Sequence, residues 1–459
     1  MSEVRCYYKW NEKRAKELES WVKGHQERHV VFFEDDPAIA LWNLPHPRIR
    51  CFSISEENRK TTFEKIVWEM LYLPFSYDEP EHPLFKELAS IRTEINYQAY
   101  DFADQGQQLL QNYGNNLAKP TQLAKDLFGQ FKDVPAIICG GGPSLISESH
   151  SLKRLQKEAV IIGCGAGMEV LLKMGIEPHF AAHVDAAPLH KFGVTNTPLF
   201  YQLRTSNHVV EKHKGPRFLL PGSGNFPLER WLHQNIGIEE VMDGGWMVGT
   251  LGVKVATLLG CNPIILAGVD LAAFPGPQEK LYAPGVKTSA TTEAFVPMKN
   301  REGRSVVSRP DWVLAAEWLD LFAKAHPDRQ WGTISSRGLD IPSIPVVKLE
   351  NVQGVVPRVS LQTPFIDGAI YWKKIIDSLQ RCKTLCQKIL QEMEKIYPKN
   401  PMEHHATLVM EHELSEELSF KLALDPLWHY WQHVIARHNL AGECGLYLNR
   451  ILFFSSICP

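Results

Sequence analysis

The sequence predicts an α/β protein: a Rossmann-like, doubly wound, mostly parallel sheet with a mixed N-terminal addition and a helical C-terminal one. Three observations carry this expectation. Short apolar runs alternate with helix-spaced segments through the middle of the chain, as right-handed crossovers between parallel strands require. The first of these runs, Ala136–Cys139, leads straight into Gly140-Gly141-Gly142-Pro143-Ser144. Later runs end in small or acidic residues, at the strand ends where open α/β sheets hold their ligands.

A chain of 459 residues has the length for two or three domains and a large core. Its 44% hydrophobic and 22% charged residues are ordinary for a globular protein. A net charge of −3 gives no electrostatic footprint for nucleic acid, so no nucleic-acid partner is expected. No apolar run reaches the ~20 residues that span a bilayer. The opening Met1-Ser2-Glu3-Val4-Arg5 lacks the plan of a signal peptide. Nine cysteines without framework spacing suit a reducing compartment. The expectation is a cytoplasmic protein with no membrane span.

Three regions are expected: 1–115, mixed α/β; 116–350, the nucleotide-binding domain; and 351–459, helical. The first carries the apolar strings Val30-Val31-Phe32-Phe33 and Ala38-Ile39-Ala40-Leu41-Trp42, then helical spacing over 62–72 and 87–117. In the second, strands are expected at 136–139, 160–163, 180–184, 199–203, 218–220 and 263–267. Residues 168–174 have helical spacing, closed by Gly175 and followed by Pro178. The Pro/Gly-rich stretch 274–286 and the polar residues up to Ser308 read as a long loop, a feature usually functional or disordered. In the third region, 370–397 and 414–440 have helical periodicity, the latter with a break at Pro426.

The glycine turn is the first segment with chemistry. A strand-to-helix turn of bare backbone presents N–H groups and a helix dipole to a phosphate. Pro143 suits the first helical position, and Ser144 adds a hydroxyl. Leu145 breaks the G-x-G-x-x-G pattern and no Gly-Lys-Ser/Thr follows, which excludes the dinucleotide and Walker A fingerprints. A generic nucleotide turn remains, with a plain strand–helix connection as the alternative.

Further candidates lie at other strand ends. Gly163-Cys164-Gly165-Ala166-Gly167 leaves room for a ligand, with Gly165 the candidate contact; close helix–sheet packing explains it equally well, and Cys164 reads as packed. The third strand ends in His183-Val184-Asp185, where Asp185 suits a metal, a ribose hydroxyl or a sugar, or caps the next element. Gly249-Thr250 opens a helix and offers a second anion site. The strand after it delivers Gly268-Val269-Asp270-Leu271, which puts Asp270 on the same edge. Each feature alone has a structural reading; their coincidence on one edge points to function. His429 and His433, with Asp425 and His438 nearby, have a ligand-like spacing, but Pro426 interrupts the register and no metal site is assigned.

Taken together these blocks bring a family into view. Residues 128–145 resemble the start of the domain shared by motility-associated-factor (Maf) glycosyltransferases and MptE-like 6-hydroxymethylpterin diphosphokinases, which carry a similar G-x-G-P-S-L turn. The stretch Leu171 to Pro178 with Asp185 matches a second block. Leu259, Gly260, Ile265, Gly268, Asp270 and Leu271 match a third. The outer two blocks are also similar to those of bacterial sialyltransferases that use CMP-sugar donors. The resemblance covers about 105–345, and the regions on either side, with the Asn115-Asn116-Leu117 lead-in, favour the Maf-like branch.

That resemblance implies transfer of a nonulosonic (sialic-acid-like) sugar from a CMP donor to a Ser or Thr of a protein acceptor. Gly140, Gly141, Gly142, Pro143, Ser144, Gly165, Gly249 and Thr250 would then hold the nucleotide and its phosphate. Asp185 and Asp270 would contact sugar, ribose or metal. Related enzymes place a histidine base after the Gly-x-Asp block, whereas this chain has none between Asp270 and His326. Tyr282, Glu279, Asp185 and Asp270 are the groups left to accept the hydroxyl proton. A pterin diphosphokinase, with ATP and Mg²⁺ held by Asp185 and Asp270, is the second implied function. A nucleotide-binding protein of the same fold without turnover is the third. No cofactor is implied outside the Mg²⁺ of the diphosphokinase alternative.

Overall fold

The computed structural model describes residues 2–36, 44–71, 73–187, 195–273, 295–396, 405–438 and 442–458; the side chains at 104, 396, 405, 433–438, 442–444 and 446 lie outside that description. Two compact units form, Met1–Asp104 with Tyr430–Asn439 and Gln105–His429 with Leu440–Pro459.

In the first unit, β1 (Glu3–Tyr8), β2 (Arg28–Glu34), β3 (Ile49–Ser53) and β4 (Phe75–Tyr77) pair in parallel in the order β3-β2-β1-β4. The apolar string Val30-Val31-Phe32-Phe33 is fully buried in β2, because a parallel strand covered on both faces needs apolar residues on both. Ala15 and Val22 of α1 (Glu12–Lys23) pack with Val30 and Phe32. On the other face Phe33 meets Phe63 of α2 (Arg59–Glu69) edge-on at 5.2 Å, and Phe85 of α3 (Pro83–Leu117) at 6.2 Å. The string at 38–42 lies outside the described residues.

The second unit holds the central sheet. Its strands are β5 (Thr121–Leu123), β6 (Ala136–Cys139), β7 (Val160–Cys164), β8 (Phe180–His183), β9 (Leu199–Tyr201), β10 (Arg217–Leu219) and β11 (Ile264–Ala267). The hairpin β12 (Val296–Lys299) and β13 (Ser305–Ser308) follows, then β14 (Trp331–Thr333) and β15 (Phe365–Ile366). Among the described residues the sheet has nine strands in the order β14-β11-β6-β7-β8-β9-β10-β5-β15, all parallel except β15 against β5. All six strands expected from apolar runs are present.

The helices of this unit after α3 are α4 (Ser144–Ser147), α5 (Ser149–Leu155), α6 (Ala166–Lys173), α7 (Asn207–Lys212), α8 (Pro227–Asn235), α9 (Val248–Leu259) and α10 (Pro310–Ala325). Further along come α11 (Ala369–Ile396), α12 (His405–Glu416), α13 (Asp425–His438), which carries residues of both units, and α14 (Gly442–Ile457). Alternate residues of β6 face opposite layers. Ile138 packs with Val253 and Ala256 of α9, while Ile137 packs with Leu152 of α5 and Leu171 of α6. The sheet is therefore doubly wound, as expected. Gly175 ends the α6 segment with φ +69°, and Ile176 N–H returns to the Leu171 carbonyl at 2.9 Å, the glycine-closed helix end the sequence indicated.

Two details differ from expectation. The stretch up to Ser308 contains the β12–β13 hairpin, whose four-residue strands are too short and too polar to stand out by periodicity. The break near Pro426 falls earlier, in a π-helical turn at Phe420–Leu424. Pro426 itself sits in the first turn of α13, where its missing N–H leaves no bond unmade.

Candidate functional site

Chain order fixes where a site belongs. From β6 the chain runs outward through β7, β8, β9 and β10, then returns to place β11 on the other side of β6. The β6–β11 junction is the switch point, at whose carboxyl edge open α/β sheets open a crevice. The glycine turn follows β6 there, and Gly268–Asp270 follows β11.

At the switch point the two loops bind each other. Gly140 N–H donates to Ala267 O at 2.8 Å, and Gly142 N–H to Gly268 O at 2.7 Å. Gly268 N–H donates to Ser144 Oγ at 3.1 Å, and Ser144 N–H to Asp270 Oδ2 at 2.9 Å. The glycines permit this approach: a Cβ on Gly140 would stand 2.5 Å from Gly268 O, and one on Gly268 would stand 2.5 Å from Gly140 O. A Cβ on Gly142 would meet Asp270 Oδ2 at 2.5 Å. Pro143 takes the helical φ of −59° expected of it; like Gly141 it is half-buried. Three amides expected to face a phosphate are thus directed at the neighbouring loop, with the Asp270 carboxylate as acceptor at the start of α4. Asp270 is 9% exposed, and its Oδ1 has no hydrogen-bond partner among the described residues.

The next strand ends are arranged differently. Gly163 and Gly167 are packing glycines: Cβ atoms there would meet Met168 Sδ at 2.9 Å and Cys139 O at 2.0 Å. Gly165 has a left-handed φ of +50°, and its nearest neighbour is Val248, the first residue of α9. The N-terminus of α9 therefore reaches this edge, where Met247 and Thr250 form a capping box. Gly249 is also close to Val269, just past β11. Thr250 is fully buried; its hydroxyl accepts from Met247 N–H at 3.1 Å and lies 2.7 Å from the carbonyls of Gly244 and Met247. It thereby shapes the start of α9 from within the helix's own first turn. Burial pushes the Cys164 thiol up to about 12 and raises Cys139 well above the ordinary thiol value, so both are packed groups rather than nucleophiles.

Beyond β8, Asp185 keeps about a third of its side chain exposed, with Oδ2 4.0 Å from Nε2 of the buried His183. Sequence reasoning missed the polar groups behind it. Gln202 Nε2 donates to Pro221 O at 2.8 Å, and Thr205 Oγ1 to His183 O at 3.0 Å. Glu229 on α8 looks like an ordinary first-turn acid, yet it is buried under the loop after β10. Burial raises its carboxyl above the usual range, against the opposing charge of Arg204 and a bond from Gly224 N–H. No local pattern marks it, because its burial is decided by tertiary packing. Tyr282 and Glu279 lie outside the described residues.

Residues 107–274 match the family model described as 6-hydroxymethylpterin diphosphokinase MptE-like. No curated protein matches the chain. Among solved structures, the chain is similar to a Maf glycosyltransferase from Magnetospirillum magneticum AMB-1. The TM-score is 0.51 at 14% identity, over 99% of this chain and 80% of that one. At that identity the likeness establishes a shared fold. Residues 107–274, which hold the glycine turn, the acidic strand end and the Gly-x-Asp block, are thus similar to the MptE-like family, within a fold shared with a Maf glycosyltransferase.

Proposed function

We propose that the chain is a Maf-like glycosyltransferase that carries a nonulosonic sugar from a CMP-sugar donor to a protein hydroxyl. The observation that supports this most is the N-terminus of α9 against Gly165, with Asp185, about a third exposed, on the neighbouring strand end. An N-terminal helix turn stabilises the charge that develops on a departing nucleotide phosphate. In the transfer, the bond from the sugar's anomeric carbon to the phosphate oxygen breaks as the acceptor oxygen bonds to that carbon. The hydroxyl proton passes to a base. Asp185 is the candidate base among the described residues, because Asp270 Oδ2 is engaged by Ser144 N–H.

A second reading follows from the matching family model, a pterin diphosphokinase. Magnesium bound through one or two carboxylates and substrate phosphates would use Asp185 and the free Oδ1 of Asp270. Magnesium would there neutralise charge on the transferring diphosphate. Among the described residues no three acidic, histidine or cysteine groups cluster as a ready-made metal site. Thermal-shift titration with CMP, CMP-sialic acid, ATP with Mg²⁺ and a pterin separates the readings, since a ligand that binds only the folded state raises its melting temperature. A shift with CMP compounds supports the transferase. A shift with ATP and Mg²⁺ alone, abolished by EDTA, overturns it.

A further inference from the structure

We propose that Asn112 and Asn116 are positioning residues that set Asp185 at the open edge of the site; this rests on the transferase reading above. The two asparagines stand one turn apart on α3, on the same face, and both are buried. Asn112 Nδ2 donates to the carbonyls of Ala186 and Arg204, each at 2.9 Å. Its Oδ1 accepts from Asn207 N–H at 3.2 Å and from Gln108 Nε2 at 3.0 Å, which orients the amide. Asn116 Nδ2 donates to Leu203 O at 2.9 Å and Thr205 O at 2.7 Å. Four carbonyls from the loops after β8 and β9 thus converge on two side-chain amides.

The same loops are tied to each other around Asp185. Ser206 N–H donates to Asp185 O at 2.8 Å, and Thr205 Oγ1 reaches His183 O. The main chain is therefore held at 183, 185 and 186 while the carboxylate itself keeps access to solvent. Irregular backbone normally stays at the surface because its carbonyls need partners. Here a helix supplies those partners, so His183 and Ala186 are buried while the Asp185 side chain keeps about a third of its surface exposed. Asparagine suits the task because one nitrogen carries two donors, whereas aspartate in its place would face two carbonyls with acceptors only.

The test is a mutant cycle read in turnover with a CMP-sialic acid donor. It uses wild type, Asn112→Asp, Asp185→Asn and the double variant, with melting temperatures measured alongside. The expected result is a tenfold or greater fall in kcat for Asn112→Asp at a donor KM within threefold of wild type, shrinking below twofold when Asp185 is already asparagine. Equal factors in both backgrounds mean a purely structural role and overturn the proposal. If Asn112→Asp does not fold, Asn116→Ala replaces it in the same cycle. Amide exchange adds a second readout: in Asn116→Ala, the Ser206 amide should exchange at least tenfold faster while β6 and β7 amides do not change. An unchanged Ser206 overturns the proposal. A wild-type protein that neither binds nor turns over CMP compounds overturns the transferase reading itself, and this inference falls with it. Wild-type turnover with an additive cycle overturns the positioning role alone.

Discussion

Two stretches of one sheet edge, five to ten ångströms apart by strand spacing, treat similar residues in opposite ways. At the β6–β11 junction, the amides of Gly140, Gly142 and Ser144 and one oxygen of the Asp270 carboxylate, Oδ2, are bonded across the junction. One and two strands further on, the start of α9 is closed within its own first turn by Thr250 and not by a loop across the sheet, and Asp185 remains a third exposed. Glycines and an acid at a carboxyl edge therefore describe two things, a clasp between loops or an opening for a ligand. What lies opposite the backbone decides which.

That contrast can be broken in several ways. The largest effect is expected from Gly140→Ala, whose Cβ would press on the Gly268 carbonyl; urea unfolding should show a loss of about 3 kcal/mol. Gly249→Ala on the open side meets only the flexible end of Met247 at 3.2 Å and should lose less than about 1 kcal/mol. Equal losses would end the distinction between clasp and opening.

Acid sensitivity sharpens it next. Burial of His233 on α8, which follows β10, lowers its pKa from 6.5 to about 4. The folded state holds the ring neutral, so its contribution is complete above pH 6.5 and is lost as the pH falls toward 4. The span corresponds to about 3 kcal/mol. Urea midpoints measured from pH 7 to 4.5 should fall more steeply for wild type than for His233→Leu.

The two acids provide the most direct comparison. Asp185→Asn is expected to lower turnover about a hundredfold, equivalent to about 2.7 kcal/mol, while shifting stability by no more than about 0.5 kcal/mol. Asp270→Ala leaves Ser144 N–H without its acceptor and should lose about 2 kcal/mol of folding stability. Interchanged results would exchange the roles of the two halves. The smallest effect expected is for Thr250→Val, which removes the hydroxyl bonds that shape the start of α9, at about 1 kcal/mol in thermal unfolding.

The frame of the central domain was legible because buried parallel strands are written as uninterrupted apolar runs. Ala136–Cys139 coincides with β6, and the other five expected strands agree with the structure to within a few residues. β5, β14 and β15 are short like β9 and β10, but Thr121-Gln122-Leu123, Trp331-Gly332-Thr333 and Phe365-Ile366 do not stand out as apolar runs of three or more. At the candidate site, sequence placed Asp185 and Asp270 at the carboxyl ends of their strands, since these residues follow the strands directly. It did not reveal that Asp270 accepts from Ser144, because that pairing joins loops more than a hundred residues apart. Asn112 and Glu229 were invisible for the same reason: a polar residue on a helix shows no sign of burial until the partner loops are in place.

The pairing of β6 with β11 also has a consequence for biosynthesis. Ala136 lies beside Ile264, so this part of the sheet must wait for chain made much later. At ~5–20 residues per second, the ~130 intervening residues take roughly 6–26 s to emerge. Throughout that interval β6 can pair with β7 but offers a bare hydrogen-bonding edge on its other side. The nascent chain is thus exposed to wrong pairing at a strand that the finished sheet buries between two neighbours.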